Sequence, residues 1–318
     1  MFCSTIIPTV GRSTLNQSVQ SVLAQTFSED DFEVIVVNDS GKQLGFADWQ
    51  ESERVQIINT NQRERSVARN TGAAIAKGKY LHLLDDDDWM ASDSIQKFFD
   101  VSKSNKAVWL YGVTQLVDRQ QNPLIQLKHG LNGNCFTQVM AGEWIPIQSS
   151  LIASESFFKV GGFNPLISGP EDIDLLRRVA LIGDLTEIQV VVSYVSRGDL
   201  GSTTDYGSSP EASRWAREDI IDTPQVFTRM NTSAQHPFWK GRFLRVYLTS
   251  FIWNIHRKRF CTAASRGVFG LLSFLLAGFS LLSFDYWRAV LRPYASETFV
   301  RGFKSAKSAS SIDAKITG

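Results

Sequence analysis

The stretch YLHLLDDDDW, Tyr80 to Trp89, constrains the fold of this chain more than any other. Tyr80, Leu81, His82, Leu83 and Leu84 read as a half-buried strand, with His82 as a core histidine. The strand delivers four consecutive carboxylates, Asp85 to Asp88, to its end. Four like charges repel one another and gain nothing by packing. Side chains alternate along an extended chain, so Asp85 and Asp87 are expected to lean one way and Asp86 and Asp88 the other. Such a set suits a hard divalent cation that keeps a substrate's phosphates in its shell. The plain alternative is a solvated acidic turn before a helix near Ser92, with Asp supplying caps.

Residues 2–7 read as a short apolar strand that Pro8 and Gly11 stop. From Ser13, a plausible N-cap, Leu15, Val19, Val22 and Leu23 recur at helical spacing. Phe32 to Val37 is a continuous apolar strand that empties into Asn38-Asp39-Ser40, and Val55 to Ile58 is a third. Glu64 to Lys77 predicts a helix with Val67, Thr71, Ala74 and Ile75 inward, ended by Gly78. Residues 107–118 and 123–127 read as further strands. Strands alternating with helices argue for an α/β fold: a Rossmann-like, mostly parallel central sheet flanked by helices, with ligands outside the strands' carboxyl ends. Three strand ends carry the unusual residues, at Pro8-Thr9, Asn38-Asp39-Ser40 and Asp85 to Asp88. Neither G-x-G-x-x-G nor G-x-x-x-x-G-K-[ST] occurs, so a diphosphate in that crevice calls for a metal held by carboxylates.

The formal net charge of +1 hides an asymmetry. Residues 226–318 carry 14 Lys and Arg against 3 Asp and Glu, while residues 1–225 carry 19 against 29. An acidic body with a basic end piece suggests two jobs, one of them facing an anionic surface. No nucleic-acid partner is expected. Cys3, Cys135 and Cys261 are far apart and lack a Cys-x-x-Cys pairing, which fits reduced thiols in the cytosol. No signal peptide is expected, because Phe2 to Ile7 already reads as a strand without a basic flank.

Seven segments in order carry a resemblance: STIIPT (4–9), SVLAQT (21–26), FEVIVVNDS (32–40), ARNTG (68–72), LLDDDDW (83–89), VGGF (160–163) and PEDIDLLRR (170–178). Over roughly residues 2–200 the chain resembles the inverting glycosyltransferases of family 2, which have the GT-A fold. The resemblance implies transfer of a sugar from a nucleotide-diphosphate sugar to a hydroxyl acceptor, a glycan or lipid-linked precursor. It implies donor contacts at Pro8, Thr9, Asp39, Arg69, Asp85, Asp86 and Glu171. It implies Mg²⁺ or Mn²⁺ on Asp85, Asp87 and Asp88, and a general base at Asp172. By sequence alone Glu171 and Asp172 are acids that complement a helix N-terminus, which also predicts an ionised Asp172. Arg69 by itself reads equally as a surface salt bridge, and Trp89 as packing. The family's Asp-Asp-Gly-Ser appears here with Asn38 first and the Gly missing. A His that many relatives carry near the domain end is absent, with Arg197 the nearest substitute. Without a Gln-x-x-Arg-Trp motif, one sugar per encounter is expected. A nucleotidylyltransferase would need a Gly-rich phosphate loop, and a non-catalytic sugar-binding scaffold would have lost acids.

Residues 1–225 therefore read as the catalytic domain, 226–302 as a basic, apolar helical extension and 303–318 as a disordered tail. The loop 129–134 and the stretch to Trp144 read as an acceptor-side region, and 201–213 as a loop that closes over the donor. Gly267 to Phe284 is free of charge over 18 residues. As one helix it would be ~27 Å long, at the short limit for crossing a ~30 Å hydrocarbon core. Gly270, Ser273, Ala277 and Ser280 form a small-residue stripe for a neighbouring helix, with 243–255 as its partner. Arg257, Lys258, Arg259 and Arg266 before the run, and Arg288 and Arg292 after it, favour a hairpin resting on an anionic cytoplasmic leaflet. A hairpin packed wholly on the catalytic domain is the alternative.

Overall fold

The structure, a computed structural model, describes residues 1–61, 64–167, 169–196 and 210–292. Arg197, most of the loop 201–213 and the tail 303–318 lie outside the described residues. The chain divides into two compact units, one of residues 1–133 and 145–216, the other of 134–144 and the chain from Arg217.

The first unit runs β1 (Cys3–Thr9), α1 (Leu15–Leu23), β2 (Phe32–Asn38), β3 (Val55–Asn59), α2 (Arg65–Ile75), β4 (Tyr80–Leu83), β5 (Trp89–Met90), α3 (Ser94–Ser104), β6 (Trp109–Val117) and β7 (Pro123–Leu127). After α4 (Phe136–Met140), which belongs to the second unit, come β8 (Ser150–Ala153), α5 (Ser154–Lys159), α6 (Glu171–Ile182) and β9 (Leu185–Ser196). All nine strands form one sheet in the order β3-β2-β1-β4-β8-β6-β9-β5, with β7 on β6. The expectation of a mostly parallel sheet is corrected to a mixed one. β3, β2, β1 and β4 are parallel, but β8 runs antiparallel to both β4 and β6 and reverses the sheet at its centre. β8 has only four residues, too short a run for periodicity to reveal.

Strand alternation sorts the two faces. Cys3, Ile7, Val34 and Val36 join Leu15, Val19 and Val22 of α1 and Ile95 and Phe98 of α3 in one core. Ile6 and Val37 point to the other face, where α2 packs. The inward face of α2 differs from the expected one: Ser66, Ala68, Arg69, Gly72 and Ala73 are buried, whereas Ala74 and Ile75 are exposed. Close approach explains it. A Cβ on Gly72 would stand 2.5 Å from Ile6 Cγ2 and 2.9 Å from Val37 Cγ2, so this helix rests on the sheet through its small residues. Pro8 does not end β1, which continues to Thr9 with Pro8 opposite Val37. α1 begins at Leu15 after Thr14, and no side chain caps it.

In the second unit, Thr137 of α4 donates to the Met230 carbonyl (2.7 Å) and accepts from Ser233, fixing α4 to α8 (Val226–Ser233). There follow α9 (Pro237–His256), α10 (Phe260–Ala277) and α11 (Phe284–Leu291), preceded by the end of α7 (Pro210–Ile221). Pro210, inside the stretch expected to be a closing loop, opens that helix. The single helix expected over 267–284 is broken. α10 stops at Ala277, Gly278 takes φ +53°, and a short 3₁₀ turn leads to α11. Gly270, Ser273 and Ala277 do turn inward, as the small-residue stripe predicts, and α10 packs on α9. Arg266 turns inward too, against the expectation of a surface cation: its guanidinium pairs with Asp222 and lies 3.6 Å from Glu218. Among the described residues no helix is long and apolar enough to cross a membrane. Cys3 and Cys135 are buried free thiols and Cys261 is exposed.

The contact under Gly72 yields a prediction. Gly72→Ala forces a methyl into Ile6 and should cost about 1–3 kcal/mol. Gly45→Ala, with nothing within 4 Å, should stay within about 0.5 kcal/mol of the parent. Chemical denaturation midpoints compare the two.

Candidate functional site

The parallel strands bring their carboxyl ends side by side. The Asp39 amide donates to the Thr9 carbonyl (2.8 Å) and the Leu84 amide to the Ile6 carbonyl (3.0 Å), so the ends of β1, β2 and β4 share one edge. Beyond Leu84 the four Asp do not stay extended. They fold into a turn in which the Asp88 amide donates to the Asp85 carbonyl (3.2 Å). The turn corrects the expected alternation: Asp85 and Asp87 share a side, and Asp88 is folded back to join them. One oxygen from each of Asp85, Asp87 and Asp88 lies within 4.8 Å of the others. Asp86 is buried on its own, accepting from Thr9 Oγ1 (2.6 Å) and Arg12 Nη1 (2.7 Å).

This turn carries more negative charge than its neighbours neutralise. Burial, then Asp85, pushes the Asp87 carboxyl above its usual range, although Arg12 Nη1 stands 3.1 Å away. Burial would raise Asp85 as well, but the charge and hydrogen bond of Arg69 outweigh it and hold Asp85 low. Three hard oxygen donors with surplus charge fit a Mg²⁺ or Mn²⁺ ion, which takes oxygen ligands and keeps open positions for phosphate.

Arg69 is the hub. It is 2% exposed; Nη2 donates to Asp85 (2.7 Å) and Nη1 to Glu171 at the start of α6 (2.9 Å). Its Cζ lies 5.2 Å from the centre of the Phe163 ring. The next residue, Asn70, donates to the Phe163 carbonyl and accepts from the Phe163 amide, both at 2.9 Å. Gly162, with φ +67°, leaves room for that clamp, since a Cβ would stand 2.7 Å from Asn70 Oδ1. Arg178 of α6 donates to the Val160 and Gly162 carbonyls at 2.7 Å and pairs with Asp174. ARNTG, VGGF, PEDIDLLRR and the acidic turn are thus one knot.

Asp172 follows Glu171 in the first turn of α6 and accepts from the Ile173 amide (2.8 Å). The expectation that the helix end leaves it readily ionised is corrected. Burial first, then Glu171, push its carboxyl up to about 6. Arg69 and the Ile173 hydrogen bond only partly offset them. Glu171 itself is buried beside Arg69, with Arg65 Nη1 3.6 Å away.

On the β1–β2 side the assigned side chains are already engaged. Asp39 accepts from Thr60 Oγ1 (2.5 Å) and from the Glu64 amide (2.7 Å), and Thr9 Oγ1 accepts from the Gly11 amide (2.9 Å) while donating to Asp86. Each Asp39 oxygen keeps a further lone pair for a ligand. Pro8 lies half-buried in β1. An open cavity of about 530 Å³ lies at the ends of β2 and β3, lined by Thr60, Asn61, Lys42, Leu44 and Gln50 among others. His82 is buried between Thr5 and the Gln148 carbonyl, and burial lowers it to about 4, so it is a core residue. Trp89 stacks on Tyr194 at 5.6 Å. Sequence reasoning gave no role to Arg12 or to Gln148, whose amide donates to Asp85 (2.8 Å). Arg12 lies in the loop just after Thr9; Gln148 lies in an unpatterned segment and carries no signal.

The raised Asp172 carboxyl has a stability consequence with a definite sign. The fold prefers its protonated form, so a penalty is absent below about pH 4 and complete above about pH 6. Asp172→Asn removes that penalty. Equilibrium denaturation should find the variant more stable than the parent at pH 8, by up to about 3 kcal/mol. The gain should fade as pH falls through 6 toward 4.

Residues 4–157 match the profile described as Glycosyl transferase family 2. Over 115 residues the chain is 30% identical to poly(ribitol-phosphate) β-N-acetylglucosaminyltransferase TarP of Staphylococcus aureus, which covers 34% of this chain and 35% of TarP. It is 24% identical over 241 residues to an uncharacterized glycosyltransferase of Haemophilus influenzae, covering 73% of this chain and 82% of that one. It is 26% identical over 144 residues to poly(ribitol-phosphate) β-glucosyltransferase of Bacillus spizizenii, covering 40% of this chain and 23% of that one. The chain thus spans about a third of TarP and less of the B. spizizenii enzyme. The fold is like that of S. aureus TarS 1–349, with TM-score 0.58 and 13% identity over 95% of this chain and 92% of that one. The complex of TarS 1–349 with UDP-GlcNAc gives 0.59 and 12%, over 84% and 90%. With the GT-A-like sheet, the acidic turn at its strand ends and the profile match over the same residues, residues 4–157 carry a glycosyl transferase family 2 domain.

Proposed function

We propose that the protein transfers a sugar, with inversion, from a nucleotide-diphosphate sugar to a hydroxyl acceptor. The observation that carries this reading is the Arg69 knot, which joins the three-carboxylate turn to Glu171, the neighbour of the half-buried Asp172. The catalytic work falls to residues 1–225. The relatives whose names specify a reaction act on poly(ribitol-phosphate), and TarS has been crystallised with UDP-GlcNAc. A UDP-sugar donor and a cell-surface or lipid-linked polyol or glycan acceptor are therefore the substrates of choice, with one sugar moved per encounter.

Asp39, Pro8 and the Thr9 backbone line the nucleoside side. Asp85, Asp87 and Asp88 would hold Mg²⁺ or Mn²⁺, which supplies Lewis-acid stabilisation of the departing diphosphate. Asp86 keeps the turn in place through Thr9 and Arg12, and Arg69 and Glu171 fix it to α6. Asp172 accepts the proton of the acceptor hydroxyl as that oxygen bonds to the anomeric carbon. The bond from this carbon to the diphosphate oxygen breaks on the opposite face. A carboxylate near 6 is ionised at neutral pH yet basic enough to take the proton, and such help is worth ~10²–10⁴-fold.

Two substitutions separate the roles. Asp87→Ala should abolish Mn²⁺-dependent thermal stabilisation by UDP-sugars together with turnover. Asp172→Asn should keep that stabilisation and lose about 10²-fold or more in kcat. Full activity of Asp87→Ala in a chelator refutes the metal assignment, and loss of donor binding in Asp172→Asn moves Asp172 to the donor site. Slow release of nucleoside diphosphate without acceptor separates a transferase from a binding scaffold.

We infer a second feature, attachment of residues 226–302 to an anionic membrane surface at the cytoplasmic face. Among the described residues, fourteen of the 24 exposed large hydrophobics lie between Leu248 and Leu291, with Phe279 92% and Leu282 85% exposed. Over 226–292 a single acid, Asp285, faces ten Lys and Arg. Apolar side chains entering the headgroup boundary, with about 1 kcal/mol per nearby cation, suffice for reversible docking. The full chain should float with anionic liposomes and less with neutral ones. Leu275→Glu with Phe279→Glu should abolish flotation without lowering the melting temperature; equal flotation of that variant rejects the surface.

A further inference from the structure

We propose that Arg69 is a positioning residue whose one buried guanidinium favours the ionised form of Asp172 and ties it to the state of the acidic turn at Asp85. The inference rests on the reading of Asp172 as the base. Four observations carry it. Arg69 is 2% exposed and both its terminal nitrogens are taken by carboxylates, so its effect on chemistry passes through the groups it holds. Its two terminal nitrogens are divided, one to each end of the site, at 2.7 and 2.9 Å. Asn70 fixes the Gly162-Phe163 backbone in both directions, and Phe163 in turn lies against the guanidinium, so the cation cannot drift toward either partner. Glu171, which takes Nη1, is the residue beside Asp172.

Among the described residues, the charges acting on Asp172 come from its own helix, from α2 and from the acidic turn. Glu171 of its own helix and Asp85 of the turn are anions that disfavour its ionised form. Arg69 of α2 is the cation that favours it, and Arg65 reaches the same patch through Glu171 (3.6 Å). Arg69 holds the Asp85 carboxylate at this end of the site, and that anion opposes ionisation of Asp172. A cation on Asp85 would cancel its repulsion and leave the Arg69 charge acting on Asp172. Occupation of the donor end therefore makes the base end easier to ionise, and by reciprocity an ionised Asp172 strengthens cation binding at the turn.

The test reads Asp172 itself, in the full chain. The difference in stability between each protein and its Asp172→Asn partner, followed against pH, reports the ionisation of residue 172 without any turnover. The acid limb of the pH–rate profile reports it through catalysis. Glu171→Gln should move both down, and Arg69→Gln should move both up, by about one pH unit each. Where Arg69→Gln does not fold, Arg69→Lys keeps the charge and loses the two-pronged reach. It should leave the ionisation in place and lower kcat by about tenfold or more with donor KM little changed. A merely structural Arg69 would lose folded protein without moving either readout. Ionisation unmoved in Glu171→Gln, or moved the same way in both charge-removing variants, overturns the proposal. If the stability readout moves and the acid limb does not, the coupling stands and Asp172 is not the base.

Discussion

A single cation buried between two carboxylates organises the catalytic unit. Burying a guanidinium is costly unless its charge is paired, and Arg69 places its two terminal nitrogens on Glu171 and Asp85 beside the Phe163 ring. Removing one member of such a set typically costs about 3–5 kcal/mol, because the other charge is left uncompensated. Lysine would carry the charge but has no planar fork to reach two separate acceptors. The neighbouring features follow from holding this group in place. Gly72 lets α2 sit close enough on β1 and β2, Asn70 clamps the loop before α6, and the left-handed Gly162 lets the clamp close.

The same arrangement accounts for the surplus negative charge at the turn and for the raised carboxyl of Asp172. Arg69 cannot balance Asp85 and Glu171 together, and Asp87, Asp88 and Asp172 add to the deficit. At the turn the surplus raises Asp87, with burial as the larger cause; at α6 it raises Asp172, again with burial first. Arg12 lies at the rim, 44% exposed, and answers for Asp86 and part of Asp87. A divalent ion on the three turn carboxylates is the natural complement of this charge.

What was legible in the sequence is what local pattern controls. The apolar runs located β1 to β4, β6 and β7, and their ends located the acids. The four Asp were visible as a cluster, but not the turn that brings Asp88 back beside Asp85, because a hydrogen bond between residues 85 and 88 decides it. The burial of Arg69 was equally hidden, since Glu171 lies 102 residues away and only the sheet's closure brings it in. Helical spacing misjudged α2, where steric room rather than hydrophobicity selects the inward face. In the second unit the small-residue stripe on α10 was readable, yet the helix ends at Gly278, and Arg266 is drawn in by Glu218 and Asp222. Charge seen along a sequence does not say which cations have an acid waiting inside the fold.

Asn38 shows how a departure from the family pattern carries physical content. The resemblance leads one to expect an acid there, ahead of Asp39. The Asn38 amide donates to the Lys42 carbonyl and to Asn59 Oδ1, both at 2.7 Å, while its oxygen accepts from the Ser40 hydroxyl (2.7 Å) and amide (3.2 Å). A carboxylate could accept from Ser40 but has no donor for Asn59 Oδ1, and it would leave the Lys42 carbonyl to the Ser40 hydroxyl at 3.0 Å. The amide therefore staples the loop 38–42 onto β3, where a missing glycine would otherwise have to be replaced by some other constraint. Asp39, next along the chain, is freed from that task and ties to Thr60 and the start of α2. A chain can thus lose the first acid of the pattern without losing the second, because the two residues hold different parts of the same strand end.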